Sequence, residues 1–389
     1  MEFDAIILGA GGAGLMAAAA AGQGGARVLV LDHADKAGKK ILISGGGRCN
    51  FTNLGVEPER FLSENPHFAK SALSRYTQWD FLDLVQRHGV AWHEKTLGQL
   101  FCDGSARQLV ALLLEECARG AAEVRLGVEL GEIAHRDGRF HVAGASAPAR
   151  IVATGGPSSP KMGATGRAYG IARQFGLDMV APRPALVPFT LGEDEKLFKT
   201  LSGVACPSVA RVGDVAFEEA ALFTHKGLSG PAILQISSYW SPGEAISLNV
   251  LPGASERLRE AKRRAPRAQL KAALAEHLPG RLADALADRI GLKKELANVP
   301  DARLDAAAEV LESLVFRPTG TEGYAKAEVT AGGVSTAALS SRTMEAKAVP
   351  GLYVIGEAVD VTGWLGGYNF QWAWSSGVAA GEAVAARLG

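Results

Sequence analysis

Cysteine is scarce in this chain: four in 389 residues (Cys49, Cys102, Cys117, Cys206), with no CxxC pair and no zinc-ligand spacing. That argues against a disulfide framework and a metal site, and it removes the paired thiols of a disulfide-reductase mechanism. A surplus of one charge is also missing, since 41 basic side chains face 41 acidic ones. The neutral balance argues against nucleic acid and against a membrane surface as main partner. A membrane span is not expected either. The uncharged stretch from Ala5 to Ala26 is interrupted by glycines and preceded by Glu2 and Asp4, unlike a signal peptide or a spanning helix. Hydrophobic residues at 47% and charged residues at 21% are ordinary for a globular protein. The expectation is a cytoplasmic protein of two to three domains.

What is abundant is glycine, 47 residues gathered in short clusters. The first cluster follows an apolar run, Asp4 to Leu8, and reads Gly9-Ala10-Gly11-Gly12-Ala13-Gly14. An alanine-rich helix should follow to about Ala21, then a second strand, Arg27 to Leu31, ending at Asp32. Each element has a mechanical task in dinucleotide binding. Gly9 makes the tight turn, Gly11 lets backbone approach a pyrophosphate, and Gly14 allows close helix–strand packing. The helix N-terminus faces the phosphates and the terminal acid hydrogen-bonds the ribose. Asp32 in place of a basic residue favours FAD or NAD over NADP.

Two later strand–glycine junctions favour FAD: Thr154-Gly155-Gly156, and Gly356-Glu357 followed by Asp360. After them comes Gly366-Gly367-Tyr368-Asn369, opening an uncharged segment through Gly381 that reads as a buried helix. Its N-terminus would favour the negative charge a flavin gains on reduction. The block from Ser44 through Gly45, Gly47, Arg48, Cys49 and Asn50 to Asn53 is too long for a turn and too polar for a core. It reads as a backbone cradle over the flavin, with Arg48 free to meet a phosphate or the flavin carbonyl edge.

These blocks, Gly38-Lys39-Lys40 through Ser44-Gly45-Gly46-Gly47-Arg48-Cys49-Asn50 to Asn53, Thr154-Gly155-Gly156-Pro157-Ser158, Thr224-His225, Thr330 to Val334 and Gly356-Glu357 through Asn369, resemble the BaiN/YhiN-type flavoproteins nearly end to end. That family is also described as aminoacetone-oxidase-like FAD-binding enzymes. The resemblance implies an α/β fold: a discontinuous, glutathione-reductase-type Rossmann-like FAD domain holding an inserted β-barrel-like plus helical domain. It adds Lys40 to the expected cofactor set. The chain departs from the family at Asp32, where glutamate is usual, and at Arg167, where an acid or amide is usual.

Texture along the chain gives matching boundaries. The FAD domain is expected over 1–185 and 321–389, and the insertion over 186–320, β-rich to 252 and helical from 253. Helical patterns run from Phe68 to His88, broken near Thr77, and from Ser105 to Arg119. Asp137-Gly138 signals a hairpin. The basic run from Arg257 to Arg267 reads as a solvated helix face in preference to a nucleic-acid patch.

The expected activity is FAD-dependent oxidation or reduction of a small organic substrate, with NAD(P)H as a transient electron donor. His225, in a Gly/Ser loop, is the candidate acid/base. Two other readings stand beside it. One is a redox sensor whose insertion docks a macromolecule. The other is a nucleic-acid-modifying flavoprotein, which would bind RNA through the 257–267 helix in a salt-dependent way.

Overall fold

Two short apolar runs, Ala5–Leu8 (β1) and Val28–Leu31 (β2), are fully buried and pair in parallel in the computed structural model, which describes residues 1–388. Burial on both faces is why such strands need no polar alternation. Glu123–Arg125 (β3), Ala149–Val152 (β4) and Leu352–Val354 (β5) complete a parallel sheet of order β5-β4-β1-β2-β3. The uncharged stretch after Asp4 is therefore strand, turn and helix. Among the described residues no helix is long and apolar enough to cross a membrane.

The helix Gly12–Gln23 (α1) is buried on nearly every face because its residues are small. It packs backbone-to-backbone on the last helix, Tyr368–Ala385: a methyl group at Gly377 would stand 2.6 Å from the Ala13 carbonyl oxygen. The segment from Phe68 to His88 is two helices, Lys70–Arg75 and Gln78–Arg87. Thr77 breaks it as the N-cap of a capping box with Asp80. The hairpin Ala134–Arg136 with Arg139–Val142 turns at Asp137 and Gly138, both with positive φ.

The chain divides into two compact units, Met1–Arg183 with Val329–Gly389, and Pro184–Glu328. The return was expected at 321. It falls at 329 because Gly320–Thr321 is still a strand of the second unit, paired with Phe189–Thr190. That unit holds a seven-stranded sheet in which every described pairing is antiparallel. Its two edge strands, Leu314–Phe316 and Gly320–Thr321, are neighbours in the chain, so the sheet curls toward closure. Helices Ala254–Arg264, Leu270–Ala275, Gly280–Ile290 and Asp301–Glu312 form its helical part.

Candidate active site

The first glycine turn sits at the carboxyl end of β1, where parallel sheets bind ligands. Gly9 has φ +107, and a methyl group there would lie 2.5 Å from the Ala153 carbonyl oxygen. A methyl group at Gly14 would lie 1.9 Å from the carbonyl oxygen of Gly9, so helix and turn touch through bare backbone. Gly11, the N-cap of α1, is different: no atom lies within 4 Å of the place its Cβ would occupy. Packing gives no reason for a glycine there, whereas a pyrophosphate approaching the backbone does. Gly12 and Ala13 open α1, with Gly12 against the Trp374 ring.

Asp32 follows β2 and fixes this turn. Its Oδ2 accepts from Ala10 N–H at 2.6 Å and its Oδ1 from Ala34 N–H at 2.8 Å. A carboxylate offers about four acceptor positions, so capacity remains for a ribose hydroxyl. Thr154 and Gly155 follow β4. The Thr154 hydroxyl is buried with no hydrogen-bond partner, and the Cβ direction of Gly155 is open. Gly156 is packed against Thr330 and Tyr169. An orphaned hydroxyl beside the open face of Gly155, with a second open glycine at Gly11 on the first turn, is what a nucleotide cofactor would complete, and the residues present fit FAD.

Glu357 is the centre of a network the sequence did not disclose. Lys40 Nζ donates to its Oε2 at 2.5 Å and to Ser158 Oγ at 2.8 Å. Ser158 Oγ at 2.5 Å and Thr330 N–H at 2.9 Å donate to its Oε1. Gly356 is clamped by the last helix: Ser376 Oγ accepts from its N–H at 3.0 Å, and Trp372 Nε1 donates to its carbonyl at 3.0 Å. Asp360 is buried and accepts from Glu64 N–H at 2.9 Å. Burial pushes its carboxyl above the ordinary range, against the pull of the Glu64 and Ser63 hydrogen bonds and of Arg183.

The block from Ser44 is a tight 3-10 turn over Ser44–Gly47, with Gly45, Gly46 and Gly47 all at positive φ. Ser44 Oγ caps the preceding helix by donating to Ile41 O at 2.8 Å. Arg48 is exposed. Cys49 is fully buried and its thiol is pushed up to about 12 by burial, which makes it inert as a nucleophile. The strand Asn50–Asn53 carries the loop before the last helix: Asn53 Nδ2 donates to Gly366 O at 2.9 Å, and Gly367 packs on Thr52 O. The Asn50 amide lies between Gln99 and Gly367.

Tyr368 and Asn369 open the last helix and are both held by polar partners. Arg60 donates to the Tyr368 hydroxyl at 2.6 Å and lies over the Trp364 ring. The Asn369 amide closes the loop on Gly363, accepting from its N–H at 2.9 Å and donating to its O at 2.8 Å. His225 lies in the second unit, exposed on the turn between strands Val215–Phe223 and Gly227–Ser229. Ser158, Thr330 and Arg60 were not expected as site residues. Ser158 and Thr330 carried a signal, as members of the blocks that resemble the flavoprotein family; Arg60 carried none.

Residues 3–383 match the family described as HI0933-like protein Rossmann domain. The chain belongs to this family. It is 54% identical, over 96% of both chains, to the ribosomal RNA dihydrouridine synthase of Escherichia coli (strain K12), and 47% identical, over 96% of both chains, to that of Haemophilus influenzae. It is 29% identical, over 98% of both chains, to a 3-dehydro-bile acid delta(4,6)-reductase of Clostridium scindens. Among solved structures it shares its fold with the 3-ketosteroid-delta4-(5alpha)-dehydrogenase from Rhodococcus jostii RHA1. The TM-score is 0.52 at 15% identity, covering 99% of this chain and 97% of that chain. The family resemblance and the Rossmann fold expected from the sequence hold, and the coarse class with them: an FAD-binding oxidoreductase.

One expectation is overturned. A small-molecule substrate with no nucleic acid does not stand beside two full-length relatives named for ribosomal RNA. The exclusion rested on a zero net charge, which averages over the chain and is blind to where the charges lie.

Proposed function

We propose that this protein reduces the C5=C6 double bond of a uridine in ribosomal RNA, with NAD(P)H as electron source. The observation that carries the reading is 54% identity, over 96% of both chains, to a ribosomal RNA dihydrouridine synthase. A second relative supports the chemistry from another direction. The names dihydrouridine synthase and 3-dehydro-bile acid delta(4,6)-reductase both denote saturation of a carbon–carbon double bond conjugated with a carbonyl.

Bound FAD supplies two-electron transfer to such an electron-poor double bond. The chain's own residues hold and orient it. Gly11 and the α1 N-terminus would receive the pyrophosphate, Asp32 would accept from the adenosine ribose, and the Thr154 hydroxyl and Gly155 would help hold the cofactor. Lys40, Ser158 and Thr330 fix the Glu357 carboxylate, so the β5 junction is rigid before any ligand arrives. The net conversion adds two electrons and two protons across the double bond. A base in folded RNA must leave its stack to be reached, which makes unpaired or loosely stacked uridines the expected targets.

The test is anaerobic incubation of the FAD-loaded protein with NADH or NADPH and a ribosomal RNA transcript, followed by nucleoside mass spectrometry. The expected result is a mass gain of two hydrogens on one uridine. Flavin turnover with a conjugated small-molecule ketone and no change in RNA would sink the reading.

A further inference from the structure

We propose that the helical part of the second unit carries a phosphate-binding face for structured RNA, made of Arg263, Arg267, Lys293 and Lys294. This rests on the reading of the protein as an RNA-modifying enzyme and names the surface that would hold the substrate.

Charge in the second unit is segregated. Residues 254–300 contain eleven basic side chains against six acidic ones, while the rest of that unit has seven against thirteen. Neutrality of the whole chain hides this. The fold then concentrates the surplus. The helix Ala254–Arg264 ends in Lys262-Arg263-Arg264, and the chain continues through Pro266 and Arg267. A distant loop is locked alongside: Leu296 N–H donates to Ala268 O at 2.8 Å, Ala297 N–H donates to Pro266 O at 2.8 Å, and Gln269 bridges antiparallel to Glu295. Gln269 Nε2 also donates to Lys293 O at 3.2 Å. Arg267 and the Lys293-Lys294 pair are thereby neighbours, although well apart in sequence.

Seven of the eleven basic residues are tied down, three of them without an ion pair: Arg257 donates to Pro252 O, Arg281 to Thr200 O and Ser202 O, and Arg289 lies over the Phe198 ring. Arg259 pairs with Asp305 at 2.6 Å, Lys262 with Asp301 at 2.7 Å, Lys271 with Asp284 at 2.9 Å, and Arg264 with Glu276. These ion pairs tie helix to helix. Arg263, Arg267, Lys293 and Lys294 are exposed, and among the described residues none has an ion pair or side-chain hydrogen bond. Attraction to a helix C-terminus accounts for basic residues in the last turn, such as Arg263. It does not reach Arg267, Lys293 or Lys294, which lie beyond the last turns of their helices. Glu295 is the one acid between them in the second loop. Free arginine and lysine on two adjoining loops suit a run of backbone phosphates, which position a nucleic acid without reading its sequence.

The experiment uses the FAD-loaded full chain, a fluorescent ribosomal RNA fragment and anisotropy titrations across a salt series. Wild type is compared with the combined variant Arg263→Gln/Arg267→Gln/Lys293→Gln/Lys294→Gln. The variant should bind at least tenfold more weakly, and the slope of log affinity against log salt should flatten by about 3, at roughly 0.7–0.9 for each of four lost phosphate contacts. Its flavin spectrum, melting temperature and NAD(P)H-driven flavin reduction should match wild type. A second comparison guards against misfolding of the combined variant: Arg267→Glu should weaken RNA binding more than Arg211→Glu, an exposed position on the sheet of the same unit. If wild type binds and modifies RNA but the variants match it in affinity and slope, this surface is wrong and the RNA reading survives. Absence of salt-dependent RNA binding by wild type overturns both.

Discussion

Lys40 Nζ lies 2.5 Å from Glu357 Oε2, across 317 positions of sequence, and joins the segment before the glycine block to the junction after β5. Both groups are part-exposed, with 40% and 20% of their side chains accessible, so solvent screens part of the attraction. Lys40→Met leaves a carboxylate with two remaining donors and should cost roughly 1–2 kcal/mol in urea denaturation. Adding Glu357→Gln should recover part of that loss, because no unpaired charge is then left behind. A double variant that is simply the sum of the two single losses would show that the pair is not coupled.

Two glycines of one motif should separate stability from binding. Gly14→Ala forces a methyl group into the Gly9 carbonyl and should cost about 3 kcal/mol, with FAD binding lost along with the fold. Gly11→Ala meets no protein atom and should leave apoprotein stability within about 0.5 kcal/mol. Its FAD affinity should still fall about tenfold, a loss of roughly 1.4 kcal/mol. Thermal melts of the apoprotein, paired with FAD fluorescence titrations, read both effects. Equal FAD affinity in Gly11→Ala would remove the pyrophosphate from that turn.

How much of this was legible follows the range of the constraint. The turn from Gly9 to Gly14 and the acid at Asp32 could be read because strand, turn, helix and strand are consecutive, and each residue's task is set by its immediate neighbours. Thr77 as a helix break and Asp137-Gly138 as a hairpin were legible for the same reason. The clasp on Glu357 was not, since Lys40, Ser158 and Thr330 lie 317, 199 and 27 positions from it and meet it only in the folded chain. Tyr368 and Asn369 were read as flavin-edge residues; the sequence could not show that Arg60 donates to the Tyr368 hydroxyl or that the Asn369 amide holds Gly363. Charge balance misled about nucleic acid because a sum carries no position.

The orphaned hydroxyl of Thr154 allows a test in which two signs oppose. Without a ligand, a buried hydroxyl lacking a partner is a liability, and Thr154→Val should stabilise the apoprotein by about 1 kcal/mol. With FAD bound, the same change removes a hydrogen-bonding group and should weaken cofactor affinity several-fold. Differential scanning fluorimetry with and without FAD measures both. A variant less stable without FAD would place a solvent or protein partner on that hydroxyl and detach it from the cofactor.

Asp360 sets a pH dependence whose direction can be worked out. Burial raises its carboxyl above the ordinary value in the fold, while in the unfolded chain it titrates near 3.8. The unfolded state therefore releases this proton first as pH rises. Stability from the group is complete below the unfolded value and is lost as pH climbs through the folded one. Asp360→Asn, which has no charge to bury, should make the apoprotein more stable than wild type at pH 7. The advantage should shrink as pH falls through the raised folded value and vanish only below the unfolded one, where both states of wild type are protonated. Urea denaturation of both apoproteins between those limits is the measurement. An advantage that grows toward acid, or a variant less stable at pH 7, would mean that the Ser63, Glu64 and Arg183 contacts outweigh the desolvation of the carboxylate.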